Sequence, residues 1–199
     1  MFAEIAQYQC QCQGVRRAPW RTLILAMIMG VLYAAGHMLF GCLIFDKEAI
    51  LNGQVWRFLT GHFVHCNFEH FFWDMAAFMI LGSVIEFNKP HRLVPSLVAS
   101  CFFVSLWLLL GEKHLTTYCG LSGALNRLLV VAAILQWQRF HNKIFFLVLL
   151  AAFIKIIFEL TTHQTIFCDL SSQSVPTSHL AGYIGGVIFY FCQPRQFTP

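Results

Sequence analysis

The sequence predicts an all-α membrane protein, a bundle of six membrane-spanning helices with both termini in the cytoplasm. Three observations predict it. Of the 199 residues, 58% are apolar or aromatic and 11% are charged, against roughly 25% charged in an ordinary soluble domain. The apolar residues, 21 phenylalanines among them, gather into runs close to the ~20 residues a helix needs to cross about 30 Å of hydrocarbon. The runs do not alternate as the strands of a membrane barrel do. The composition excludes a disordered chain, a collagenous chain and an ordinary soluble enzyme. With a net charge of only +4 and no dense Lys/Arg cluster, nucleic-acid binding is not expected.

The first run, 21–45, is too long for the apolar core of a signal peptide and predicts a retained helix. The next five are 70–86, 93–111, 122–140, 143–160 and 178–192. Residues 1–20 then form a cytoplasmic segment, 21–192 the membrane domain and 193–199 a short tail. The longer links are 46–69, 112–121 and 161–177. Positive charge sets the orientation. With the N-terminus inside, Arg16, Arg17, Arg21, Lys89, Arg92, Arg139, Lys143 and Arg195 make eight inside, against Lys47, Arg57 and Lys113, three outside. All three longer links then lie on the outer face.

Ionisable side chains inside a membrane helix are costly and point to function. The second helix opens with His70 and Asp74, the fourth with Ser122 in Gly120-Leu121-Ser122-Gly123, and the sixth with His179. These helices all run from outside to inside, so their starts share one depth. A serine needs a base to become a nucleophile, and His179 is suited to that role. The first turn of the helix beginning at Ser122 offers unpaired N–H groups and a positive dipole end for an oxyanion. Taken singly these signals are weak. Small residues are common where membrane helices pack, and Gly182 with Gly186 forms a GxxxG face of that kind. The conjunction carries the weight.

From about Gly53 to Cys192 these residues resemble the rhomboid family of intramembrane serine proteases. Trp56-Arg57 is similar to the family's loop pair, and His65, His70 and Asp74 to its His-x4-His-x3-Asn on the second helix. Glu86 stands where rhomboids often carry a glutamate. Gly120-Leu121-Ser122-Gly123 matches Gly-x-Ser-Gly, and His179, Gly182 and Gly186 match the sixth helix. The resemblance implies a Ser–His dyad, with Ser122 as nucleophile and His179 as base. It implies an oxyanion site of His70, position 74 and the Ser122 N–H, flanked by Gly120 and Gly123. Trp56, Arg57 and His65 would shape the outer loop. No third carboxylate is asked for, and Lys155 and Glu159, one turn apart, read as an ion pair without a functional role. Two departures stand out. Asp74 replaces the usual asparagine and either stays protonated through burial or orients His70; otherwise the site is inactive. Asn126 replaces an aromatic residue and is placed to hold His179 by a hydrogen bond. Arg127 beside it would pair with a carboxylate or carbonyl.

The compact six-helix form and the stretch Gly53–Glu86 are most similar to the rhombosortase subfamily. That implies bacterial inner-membrane proteins whose site opens to the periplasm and cuts C-terminal GlyGly-CTERM anchors. The expected partners are membrane-anchored proteins with a single spanning helix, and the bilayer itself. Two other readings compete. One is a rhomboid-like pseudoprotease that binds membrane helices without cutting. The other is a metal- or haem-binding membrane protein built on His62, His65 and His70. It leaves Ser122 and His179 unexplained, so neither cofactor nor metal is expected. Of the eight cysteines, Cys119 and Cys168 lie in outer links, where a disulfide would tie the loops over the site. Reduced packing thiols are the alternative.

Overall fold

The computed structural model describes residues 18–162 and 175–192. Among them lie nine α-helices. These are α1 (Trp20–Ala34), α2 (Gly36–Leu43), α3 (Lys47–Leu51), α4 (Arg57–Thr60), α5 (Phe68–Asn88), α6 (Leu93–Gly111), α7 (Ser122–Phe140), α8 (Ile144–Thr162) and α9 (Pro176–Cys192). The protein is an all-α membrane protein. The one departure is a two-stranded antiparallel pair, β1 (Phe45–Asp46) with β2 (Thr117–Tyr118).

Helix covers every run read from the sequence, with one correction. The run 21–45 is not continuous, because it breaks at Ala35 between α1 and α2. Three helical stretches are long and apolar enough to cross a membrane: Phe68–Asn88, Pro90–Gly111 and Ile144–Thr162. Helices α7 and α9 are not among them. Ser122, Asn126, Arg127, Gln136 and Arg139 dilute α7, and α9 has only 17 residues. Polar residues that face the bundle interior lower a helix's hydropathy without exposing it to lipid.

Side chains set the starts of α5, α3 and α1. Asn67 accepts from the His70 N–H at 2.8 Å and starts α5, and Asp46 accepts from Ala49 at 2.9 Å and starts α3. Glu86 caps a neighbour. Its carboxylate accepts from the Arg21 and Thr22 N–H groups and the Thr22 hydroxyl, at 3.0, 2.8 and 2.8 Å. It thereby fixes the start of α1 against the C-terminal part of α5, satisfying donors that have no intrahelical carbonyl.

Helix α7 is central and packs against α5, α6, α8 and α9. Its buried face is small and apolar, including Gly123, Ala124, Leu128, Val131 and Ala132. Lipid tails are as apolar as leucine, so close packing of small residues, rather than water exclusion, drives such contacts. Helix α8 is the opposite case. Leu147, Leu150, Ile154 and Phe158 are exposed, as expected of a lipid-facing helix, while Ile156 and Glu159 are buried.

The closest approach is between α7 and α9. A Cβ at Gly182 would overlap the Gly123 carbonyl oxygen, and one at Gly186 would lie 2.7 Å from Val130 Cβ. Gly182→Ala must therefore push α9 off the start of α7. Overpacking of this kind costs about 1–3 kcal/mol. The expected result is a lower melting temperature in detergent, together with loss of the Ser122–His179 contact described below.

Candidate active site

The links bring the site together. The β1–β2 pair joins the link after α2 to the link after α6, with Phe45 opposite Tyr118 and Asp46 opposite Thr117. Lys47 reinforces it, donating from Nζ to the Glu112 carbonyl at 2.8 Å. The Gly120 N–H donates to the Gly61 carbonyl at 3.1 Å. Gly120 has φ +105°, and a Cβ there would run into the His70 ring. Glycine meets both demands, the left-handed backbone and the close approach.

Ser122 opens α7 from this braced link. Its Oγ lies 2.9 Å from His179 Nε2 on α9. His179 Nδ1 lies 2.7 Å from Glu159 Oε2 on α8. The other oxygen, Oε1, accepts from Lys155 Nζ at 2.7 Å. The Glu159 side chain is 1% exposed. An ionised carboxylate only accepts hydrogen bonds, so Nδ1 is the protonated ring nitrogen facing it. Nε2 is then an acceptor, and the Ser122 hydroxyl donates to it. The contacts run in one line, Lys155 to Glu159 to His179 to Ser122. Glu159 is the residue that sequence reasoning missed. Its pairing with Lys155 was legible from the i, i+4 spacing, but its reach to His179 depends on how α8 packs against α9.

A cavity of about 430 Å³ opens onto this line between α5, α7 and α8. His70, Asp74, Ser122, Asn126, Glu159 and His179 all border it, with apolar residues such as Ala77 and Ile80. Asp74 Oδ2 accepts from the Leu121 N–H at 2.7 Å and lies 3.0 Å from His65 Nε2 and 3.4 Å from His70 Nε2. It therefore acts as an acceptor that pins the Ser122 link to α5 and orients two histidines. Asn126 donates to the Ser122 carbonyl at 2.9 Å, one turn back, and this is the bond it makes in place of the expected one to His179. Arg127 donates to the Ala99 carbonyl at 3.0 Å, and its guanidinium lies 5.3 Å from the centre of the Phe189 ring.

The loop residues have structural partners. Trp56 Nε1 donates to the Cys42 carbonyl at 3.1 Å. Arg57 reaches Gln54 Oε1 and the Ile44 carbonyl at 2.7 and 2.9 Å. The three histidines considered for a metal or haem do not converge. His62 Nε2 pairs with Ser105 Oγ at 2.9 Å, whereas His65 and His70 face Asp74. Burial pushes His62 down to about 4, so its imidazole is neutral near pH 7. Burial likewise pushes the Tyr118 phenol up. Cys168 lies outside the described residues, and the sulfur that Cys119 meets is that of Cys66.

A family model described as Rhomboid domain matches residues 52–196. No curated protein matches the chain.

Proposed function

The chain belongs to the rhomboid family, whose members are usually intramembrane serine proteases acting on membrane-embedded proteins, and on that premise we propose that it is an intramembrane serine endopeptidase. Ser122 is the nucleophile and His179 the general base, with Glu159 holding the histidine. The observation that carries the proposal is the 2.9 Å contact between Ser122 Oγ and the carboxylate-backed imidazole.

The steps follow from the geometry. His179 Nε2 takes the Ser122 proton as Oγ attacks the scissile carbonyl. Glu159 stabilises the imidazolium that forms, since it already accepts from Nδ1. The new oxyanion meets the N–H groups at the α7 start, where the helix dipole is positive. His70 borders the same cavity and is the side-chain donor. The Leu121 N–H is committed to Asp74 and takes no part. His179 then gives its proton to the leaving amine, and water repeats the sequence on the acyl-enzyme.

The proposed topology has six spans, both termini in the cytoplasm and the site toward the outer face of a bacterial inner membrane. The proposed substrates are single-helix anchors, with C-terminal GlyGly-CTERM tails first among them. Glycines near the scissile bond lower the cost of unwinding a helix into the cavity. A helix-binding pseudoprotease would share the cavity but has no use for the Ser122–His179–Glu159 line.

The test is labelling with a fluorescent fluorophosphonate in detergent. The intact protein is expected to label covalently, and Ser122→Ala and His179→Ala to remain unlabelled while still folded. An unlabelled, folded, intact protein would transfer the assignment to the pseudoprotease.

A further inference from the structure

The links and the first turn of α5 carry a second cluster of reactive side chains, apart from the Ser122–His179 line. The Cys66 Sγ, His70 Nδ1 and Cys119 Sγ atoms all lie within 4.8 Å of one another, and Cys66 Sγ is 3.7 Å from His70 Nδ1. We propose that Cys66, His70 and Cys119 bind a thiophilic d10 cation of the zinc class.

Zinc bonds of about 2.3 Å to sulfur and 2.0 Å to nitrogen, arranged tetrahedrally, separate the ligand atoms by roughly 3.5–3.8 Å. The cluster needs only small side-chain adjustments to reach that spacing. Two thiolates and an imidazole are the donor set that soft d10 ions select. The ligands are held by independent anchors. His70 is fixed by the Asn67 cap of α5. Cys119 is fixed by the neighbouring bond from the Gly120 N–H to the Gly61 carbonyl. Cys66 is exposed while His70 and Cys119 are buried, so an ion can enter from one side.

His70 separates this site from a simple dithiol. Its Nδ1 faces the sulfurs while its Nε2 lies 3.4 Å from Asp74 Oδ2. A metal-bound imidazole commonly donates its other N–H to a carboxylate, which fixes the ring and its tautomer. Asp74 supplies that carboxylate and is itself anchored by the Leu121 N–H. An asparagine there would carry no charge to balance the ion. With Nδ1 on the metal, Nε2 carries the proton and faces Asp74. Both thiols lose their protons on binding, and no electron transfer is involved.

The site does not depend on the protease assignment, so the test is run in parallel on the intact protein and on Ser122→Ala. Reduced protein in detergent is titrated with Co2+, then with Zn2+. One equivalent of Co2+ should give sulfur-to-cobalt charge-transfer absorption in the near ultraviolet, and Zn2+ should abolish it. Cys66→Ser and Cys119→Ser should each remove the band. Asp74→Asn, which leaves all three ligands in place, should weaken Zn2+ binding about 10–100-fold. Melting curves identify any variant that fails to fold, and Asp74→Asn then carries the test. Absence of the band in folded, reduced protein overturns the proposal. So does a band indifferent to both cysteine changes, or a Cys66–Cys119 disulfide found by peptide mapping of protein purified without reductant.

Discussion

Ser122→Ala is expected to reduce cleavage of a membrane-anchored substrate on the order of 10³-fold or more, leaving the fold intact. The hydroxyl is a small group at the start of α7, and it meets His179 Nε2 at 2.9 Å. Its loss removes the attacking atom without opening the α7–α9 contact, which rests on Gly123 and Gly182. His179→Ala should be as inactive as Ser122→Ala, and the double variant no worse than either. Residues that act as a unit lose their effect together rather than additively. The measurement is the initial cleavage rate in proteoliposomes, with a melting curve for each variant. Cleavage by folded Ser122→Ala at more than a few per cent of the normal rate would sink the assignment.

Glu159→Gln is expected to lower kcat by about 10²–10⁴-fold with KM nearly unchanged. The change is isosteric, but an amide can donate where a carboxylate only accepts. If the glutamine donates to Nδ1, the proton moves to Nε2 and His179 can no longer accept from Ser122. Lys155 loses its counter-charge but is 25% exposed and can carry its ammonium toward water. Two readouts separate positioning from mere support of the fold. Fluorophosphonate labelling should fall by the same factor as kcat while the melting temperature stays within a few degrees. Glu159→Asp, which keeps the acceptor but shortens the side chain, should recover part of the rate. Equal losses in both variants, tracking a drop in melting temperature, would make Glu159 a structural residue.

Much of this site is legible in the chain because membrane helices constrain topology strongly. Ser122, His70, Asp74 and His179 open alternate runs of the sequence, whose starts on the proposed six-span topology share one depth. A Cβ at Gly120 would meet the His70 ring and one at Gly182 the Gly123 carbonyl. The resemblance to rhomboids, carried by the same motifs, extends over the region that the family match covers. What was not legible depends on side-chain reach across helices. Glu159 reads as half of a local ion pair until α8 is laid against α9. Asn126 turns back to its own helix and donates to the Ser122 carbonyl one turn earlier. Neither proline nor a polar run marks the break at Ala35. Cys66 and Cys119 are 53 residues apart in sequence and meet where the Gly120–Gly61 and Leu121–Asp74 hydrogen bonds hold the link after α6 against the start of α5.

The order in which the pieces of the site are synthesised has its own consequence. Ser122 precedes His179 by 57 residues and Glu159 precedes it by 20. On the proposed assignment, a nascent chain that has inserted α7 but not yet α9 carries a serine with no base. Its hydroxyl is no more reactive than any other. On that assignment activation coincides with the arrival of α9, and the Gly182 contact seats that helix against α7. A chain that lacks α9 cannot, on that assignment, cut its neighbours in the membrane.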